Sequence, residues 1–201
     1  PKSIWSFASH PSWTLNYLFR EKFTLPQLND YVDEGSNISV SVGDYFSSML
    51  DQSMDWEDAA LLREKWGGKF CLKGIMSQGD ARKAVEIGAD GIMVSNHGGR
   101  QLDGSRAPFD QISEIADAVG DEIDIILDGG IRRGTHVLKA IAAGAKACSG
   151  GRMYLYALAA AGQAGVETAL QNMKNEIERD MKLMGIKSIS ELNQTMLARR
   201  V

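Results

Sequence analysis

From about residue 55 onward, short apolar runs alternate with segments whose apolar residues recur at helical spacing, and turn-forming residues separate the two. The runs are Phe70-Cys71-Leu72, Gly91-Ile92-Met93-Val94, Ile123-Asp124-Ile125-Ile126-Leu127 and the less hydrophobic Ala145 to Ser149. Each has the length of a buried strand. Helix signals fill the intervals. Asp55 stands where it can cap a helix over Trp56 to Trp66, with Gly67-Gly68 at its end, and Ser77-x-x-Asp80 opens a helix that Gly88 stops. Pro108 suits the first turn of a helix to Val119, with Gly120 behind it, and Thr135 is expected to cap a helix from His136 to Ala143. Two helices, about 153 to 161 and 166 to 184, follow, and Ser188-x-x-Glu191 suggests a small terminal one. Residues 1–54 have weak periodicity and turn formers at Gly35-Ser36-Asn37 and Val42-Gly43-Asp44. They are expected to be a long irregular segment with one short helix near Trp13 to Phe19, and residues 55–201 the folded body.

Strands alternating with helices imply parallel β/α units, with all the strand-to-helix turns on one face. A doubly wound sheet and a (β/α)8 barrel both fit this pattern. A barrel needs eight strands and roughly 250 residues, so four units are half of one.

Composition narrows the functional classes. With 201 residues, 44% hydrophobic, the chain can bury a core, and a net charge of −4 with scattered basic residues gives no electrostatic case for nucleic acid. Cys71 and Cys148 lie far apart without a CxxC or Cys/His cluster. Neither a disulfide framework nor a zinc or other metal site is indicated, and a reduced, intracellular setting is expected. No apolar stretch approaches the roughly 20 residues that span a bilayer, and no signal-peptide pattern opens the chain. Peripheral membrane contact stays open. The start at Pro1 rather than Met suggests a fragment or processed product of a longer protein.

The strand ends carry the candidate chemistry. Beyond Val94 comes Ser95-Asn96-His97-Gly98-Gly99-Arg100-Gln101-Leu102-Asp103, which places a potential base, His97, three residues before a potential carboxylate clamp, Arg100. A lone His beside a glycine turn is also an ordinary structural feature, and Arg100 alone reads equally as a surface charge. Lys73 ends the first strand, as a snorkelling lysine or as a cation for developing negative charge. Asp128-Gly129-Gly130-Ile131-Arg132-Arg133-Gly134 and Gly150-Gly151-Arg152 follow the third and fourth strands. Glycine turns that open onto helix N-termini present N–H groups suited to phosphate, and each is followed here by arginine.

These pieces, in this order and spacing, resemble the carboxyl-terminal half of the FMN-dependent α-hydroxy acid dehydrogenases and oxidases, the family of L-lactate dehydrogenase, mandelate dehydrogenase and glycolate oxidase. The resemblance runs over roughly residues 55 to 195, and His10-Pro11-Ser12-Trp13 is similar to the bacterial lactate and mandelate dehydrogenase branch. It implies the C-terminal half of a (β/α)8 TIM barrel, four parallel βα units plus C-terminal helices. It also implies oxidation of a small L-2-hydroxy acid to the 2-oxo acid. By the same resemblance His97 is the catalytic base, Arg100 the carboxylate ligand, and Lys73 and Ser95 partners of the flavin ring. Asp128, Gly129, Gly130, Arg132, Gly151 and Arg152 hold the ribityl chain and phosphate, with Arg132 also near the substrate.

The electron acceptor that this implies is oxygen, a quinone or another carrier, and the full-length enzyme is expected to be a homo-oligomer, cytoplasmic or peripheral at the inner membrane. The family's first half supplies further flavin contacts, substrate-binding tyrosines and the aspartate that orients the catalytic His, so this chain is expected to act with that half. Hydride and carbanion routes both stay open. Two other readings remain, another phosphate-binding barrel enzyme and a non-catalytic half-barrel serving binding or assembly. His10 is not expected to bind metal, His136 is expected to be a capping or surface residue, and Trp56, Trp66 and the methionines to be packing.

Overall fold

Alternation of side chains along four short strands builds one parallel sheet. In the computed structural model, which describes residues 2–21 and 50–198, these strands are β1 (Cys71–Lys73), β2 (Gly91–Ser95), β3 (Asp124–Asp128) and β4 (Ala147–Ser149). Their spatial order is β1-β2-β3-β4, all parallel. Leu72, Ile92, Val94, Ile125 and Leu127 point to one face and join the core beneath the helices. Lys73, Ser95 and Asp128, expected as strand ends or turn residues, sit in the ladder itself. Ser95 pairs with Asp128, Asp128 with Ser149, and Lys73 with Met93.

The chain forms two compact units, Pro1–Ser53 and Met54–Val201. In the first, the short helix expected near Trp13 to Phe19 is found as α2 (Pro11–Phe19), and a second helix, α1 (Lys2–Ser9), precedes it where irregular chain was expected. Pro11 pre-sets the first turn of α2, Thr14 Oγ1 donates to the Phe7 carbonyl at 2.7 Å, and Trp13 stacks on Tyr17 one turn later at 5.3 Å. Local contacts between neighbouring side chains thus hold these two short helices. The turn formers at 35–37 and 42–44 lie outside the described residues.

In the second unit, α3 (Trp56–Trp66) has the expected bounds, with a reciprocal capping box between Asp55 and Asp58 and left-handed Gly67 at its end. Helix α4 (Gln78–Glu86) starts from the Ser77 cap, and α5 (Pro108–Val119) starts at proline as anticipated. Their apolar faces, Ala81 and Ala84 on one and Ile112, Ile115 and Val119 on the other, close over the sheet.

One expectation is corrected. Thr135 does not cap the next helix, α6 (Gly134–Ala142), whose N-cap position is Arg133 without a side-chain cap. The partners come instead from α7 (Arg152–Met184): Glu176 Oε2 accepts the Gly134 N–H at 2.8 Å, and Asp180 Oδ2 accepts the Thr135 hydroxyl at 2.7 Å. Two carboxylates one turn apart therefore satisfy and charge-balance the start of α6. The two helices expected over about 153–161 and 166–184 are found as the two arms of α7, which non-helical backbone at Ala161 and Gly162 separates. The terminal helix predicted from Ser188 is a single 3₁₀ turn, Ile189–Glu191, with the Ser188/Glu191 capping box in place. No helix among the described residues is long and apolar enough to cross a membrane.

The α6–α7 contact needs a glycine. A Cβ at Gly134 would stand 2.6 Å from the Ile177 nitrogen and 2.7 Å from the Met173 carbonyl oxygen, neither of which can swing aside. Gly134→Ala is therefore expected to lower unfolding stability by about 1–3 kcal/mol, read as a shift in urea midpoint. An unchanged midpoint would contradict this packing.

Candidate active site

The carboxyl end of β2 sets the geometry of the site. Ser95 ends the strand, 3% exposed, and Asn96 leads into a 3₁₀ turn over His97–Gly99. Among the described residues His97 is the only non-glycine with positive φ, at 58°, and Gly98 and Gly99 follow at 70° each. That backbone region is costly for a side chain bearing a Cβ and persists only where neighbours enforce it. Three neighbours do so. Ser95 Oγ accepts the His97 N–H at 3.1 Å, Asn96 Oδ1 accepts the Gly99 N–H at 3.0 Å, and Arg152 Nη2 donates to the Gly98 carbonyl at 2.8 Å. Asn96 also donates to the Arg106 carbonyl at 3.2 Å, which ties the turn to the following loop.

Beneath the turn, three adjacent strand ends share one polar cluster. Lys73 Nζ donates to Ser95 Oγ at 2.9 Å, Ser95 Oγ donates to Asp128 Oδ2 at 2.6 Å, and the ammonium lies 3.2 Å from the same carboxylate oxygen. Burial of Asp128 pushes its carboxyl up, but hydrogen bonds from Ser95, Ser149 and Lys73 outweigh that and hold it below the usual range. Asp128 is thus kept ionised, and Lys73 has a fixed partner. The thiols carry no such activation: burial pushes Cys148 up to about 11.

Nine of the ten residues singled out from the sequence line one cavity of about 590 Å³, the exception being Ser95, buried under it. Lys73, His97 and Arg100 share it with Asp128, Arg132 and Arg152 and with the glycines of both turns. Gly129 and Gly130 have φ of 123° and 76°, and a Cβ added at Gly130 or Gly151 would meet no atom within 4 Å, so the backbone there stands open to a ligand. Helix α7 begins next to Gly151 and directs its N-terminus to the same place. His136 lies to one side, accepting the Arg132 N–H on Nδ1 at 3.2 Å, a structural contact. Sequence reasoning missed Asn96 and Ser149. Asn before His-Gly-Gly is an Asx-turn signal that could have found the first; only strand register reveals the second.

Another cavity, about 610 Å³, lies on the helix side among Phe109, Leu138, Leu183 and Met196 and has no such cation and glycine arrangement. Among the described residues no cluster of three or more His, Cys, Asp or Glu is placed to hold a metal.

Four parallel β/α units with cations and open glycine turns at their carboxyl ends define half of a (β/α)8 barrel. The chain belongs to the FMN-dependent dehydrogenase family, whose model matches residues 1–199. It is 40% identical over its whole length to an L-lactate dehydrogenase of Pseudomonas entomophila (strain L48), covering 52% of that protein, and 42% identical over 94% of its length to one of Alcaligenes faecalis, covering 50%. Among solved structures it is similar to a flavocytochrome b2 variant with sulfite bound, with TM-score 0.73 and 40% identity over 82% of this chain and 44% of that one. It is also similar to mandelate oxidase with benzoyl-formic acid, with TM-score 0.67 and 44% identity over 70% and 42%. The chain spans about half the length of the curated relatives it matches.

FMN is the cofactor of this family, and the cavity fits it. Open glycine backbone and a helix N-terminus flanked by two arginines suit a phosphate, while Lys73 beside buried Ser95 suits a polar ring edge. The Asp128 cluster also carries a pH signature. A carboxyl held below its unfolded value of about 3.9 contributes stability that is present above that pH and lost as pH falls through the lower folded value. The urea midpoint is expected to drop below about pH 4 more steeply in the native chain than in Asp128→Asn; equal slopes would remove Asp128 from the account.

Proposed function

We propose that this chain supplies the substrate side and the phosphate side of an active site that oxidises a lactate-like L-2-hydroxy acid to the 2-oxo acid with FMN. The observation that carries this reading is the shared cavity: a base on a strained turn and a guanidinium three residues on, facing the cationic cluster and the glycine turns. The relatives' names support the substrate class. Two are L-lactate dehydrogenases, and mandelate oxidase has been solved with benzoyl-formic acid and a variant of it with (S)-mandelic acid, an oxo acid and its hydroxy acid.

Each residue has a role in this reading. Arg100 takes the substrate carboxylate through two parallel hydrogen bonds, which fixes the carbon to be oxidised. His97 accepts a proton from the substrate as general base. FMN, when bound, would supply the two-electron acceptor, with the substrate's second hydrogen leaving with the electron pair as hydride or separately as a proton. Lys73 and Ser95 place a positive charge and a hydroxyl at the ring, and Asp128 keeps that cation in position. Asp128, Gly129, Gly130, Arg132, Gly151 and Arg152 hold the ribityl chain and phosphate. Oxygen, a quinone or another carrier then removes the electrons.

The same reading requires a complementary half. Among the described residues β1 is bonded to β2 alone and β4 to β3 alone, which leaves two open edges. His97 also needs an orienting carboxylate, and among the described residues the carboxylate in the cavity lining, Asp128, is engaged instead by Ser95 and Lys73.

The test is anaerobic mixing of the chain, FMN and L-lactate, L-mandelate or glycolate, with and without that half, followed by flavin absorbance. Bleaching is expected with the half present. His97→Gln is expected to keep FMN bound while slowing flavin reduction by about 10²–10⁴-fold. Rapid bleaching of that variant would overturn the base assignment, and FMN binding without bleaching in the native protein would favour the non-catalytic module.

A further inference from the structure

Arg152 stands on the glycine turn assigned above to the cofactor's phosphate, yet its guanidinium reaches back across the cavity to the His97 turn. Its Nη2 donates to the Gly98 carbonyl at 2.8 Å, and a Cβ at Gly98 would come within 3.2 Å of that nitrogen. The contact joins residues 54 apart in the chain. A guanidinium has five donors in a rigid plane, so one bond to a carbonyl leaves others for a second acceptor.

The His97 turn needs support, because positive φ at a residue with a Cβ is held by its surroundings. Ser95 grips it from below and Asn96 spans it, and both act from the same strand end. Arg152 grips it from another strand end, at the start of α7. Exposed to water and anchored at one end, a long arginine side chain has many competing rotamers and hydration partners. A phosphate at the open Gly151 backbone would fix the guanidinium plane and with it the direction from which Gly98 is held.

We propose that Arg152 is a positioning residue that bridges the cofactor's phosphate and the Gly98 carbonyl, so that occupancy of the phosphate site sets the pose of His97 and readies the turn for substrate carboxylate. This rests on the function proposed above. It makes the phosphate more than an anchor, and it predicts a sign opposite to simple electrostatics. A phosphate dianion in the cavity repels a second anion; the bridge makes carboxylate binding tighter when the phosphate is there.

The experiment compares FMN with riboflavin, which lacks the phosphate, each at saturation in the protein completed by its other half. Pyruvate, which does not reduce oxidised flavin, is titrated and its binding read from flavin absorbance. The native protein is expected to bind pyruvate about five- to tenfold more tightly in the FMN form than in the riboflavin form, a coupling of ordinary allosteric size. Inorganic phosphate added to the riboflavin form is expected to restore part of the difference. In Arg152→Lys, which keeps the charge but not the two-ended fork, the preference is expected to vanish even with flavin saturated.

A native preference at or below one overturns the proposal, as does an Arg152→Lys preference equal to the native one. Should that variant not fold, the native comparison and the phosphate titration decide alone. Failure of the native protein to bind FMN would overturn the proposed function and this inference together, whereas FMN binding and bleaching without the coupling would overturn the inference only.

Discussion

The hydroxyl of Ser95 is the point on which the site depends. It accepts from the Lys73 ammonium and from the His97 N–H and donates to the Asp128 carboxylate, so one buried side chain joins three strand ends to the His97 turn. Such a cluster is costly to bury unless its polar groups find partners, and in this one donors and acceptors match. Its rigidity is what allows His97 to sit at positive φ with its side chain open to the cavity.

Sheet register explains why these residues meet. Ser95 lies beside Asp128 in the ladder, and Asp128 beside Ser149. Because side chains alternate, the residues that seal the core, such as Val94 and Leu127, hold their polar neighbours on the other face. Packing and chemistry thus share the same strands. The glycine turns after β3 and β4 then bring backbone N–H groups and arginines to the rim, and Arg152 closes the circuit by returning to Gly98.

Much of this was legible in the sequence where a signal is local. Asp55 before Trp56 and Pro108 at a helix start act within one turn, and both bounds were found as expected. The residues that line the cavity were legible because a nine-residue segment and two glycine-arginine turns fell after apolar runs. What escaped was set at long range. Thr135 has the chemistry of a cap, but α7 offers Glu176 and Asp180, so the start of α6 is satisfied from 42 and 45 residues away. The helix at Lys2–Ser9 is only about two turns long, too short a window for its period to be read, and Asn96 was passed over although an Asx turn before two glycines is a recognisable pattern.

The most direct test of this arrangement is stopped-flow reduction of bound FMN by L-lactate in Ser95→Ala, in the protein completed by its other half. The variant deletes one hydroxyl and leaves His97, Arg100 and both phosphate turns in place. Retained FMN with reduction slowed by about ten- to a hundredfold is predicted, since Lys73 and the His97 turn lose their common partner. Reduction at the native rate would contradict the claim that this hydroxyl organises the site.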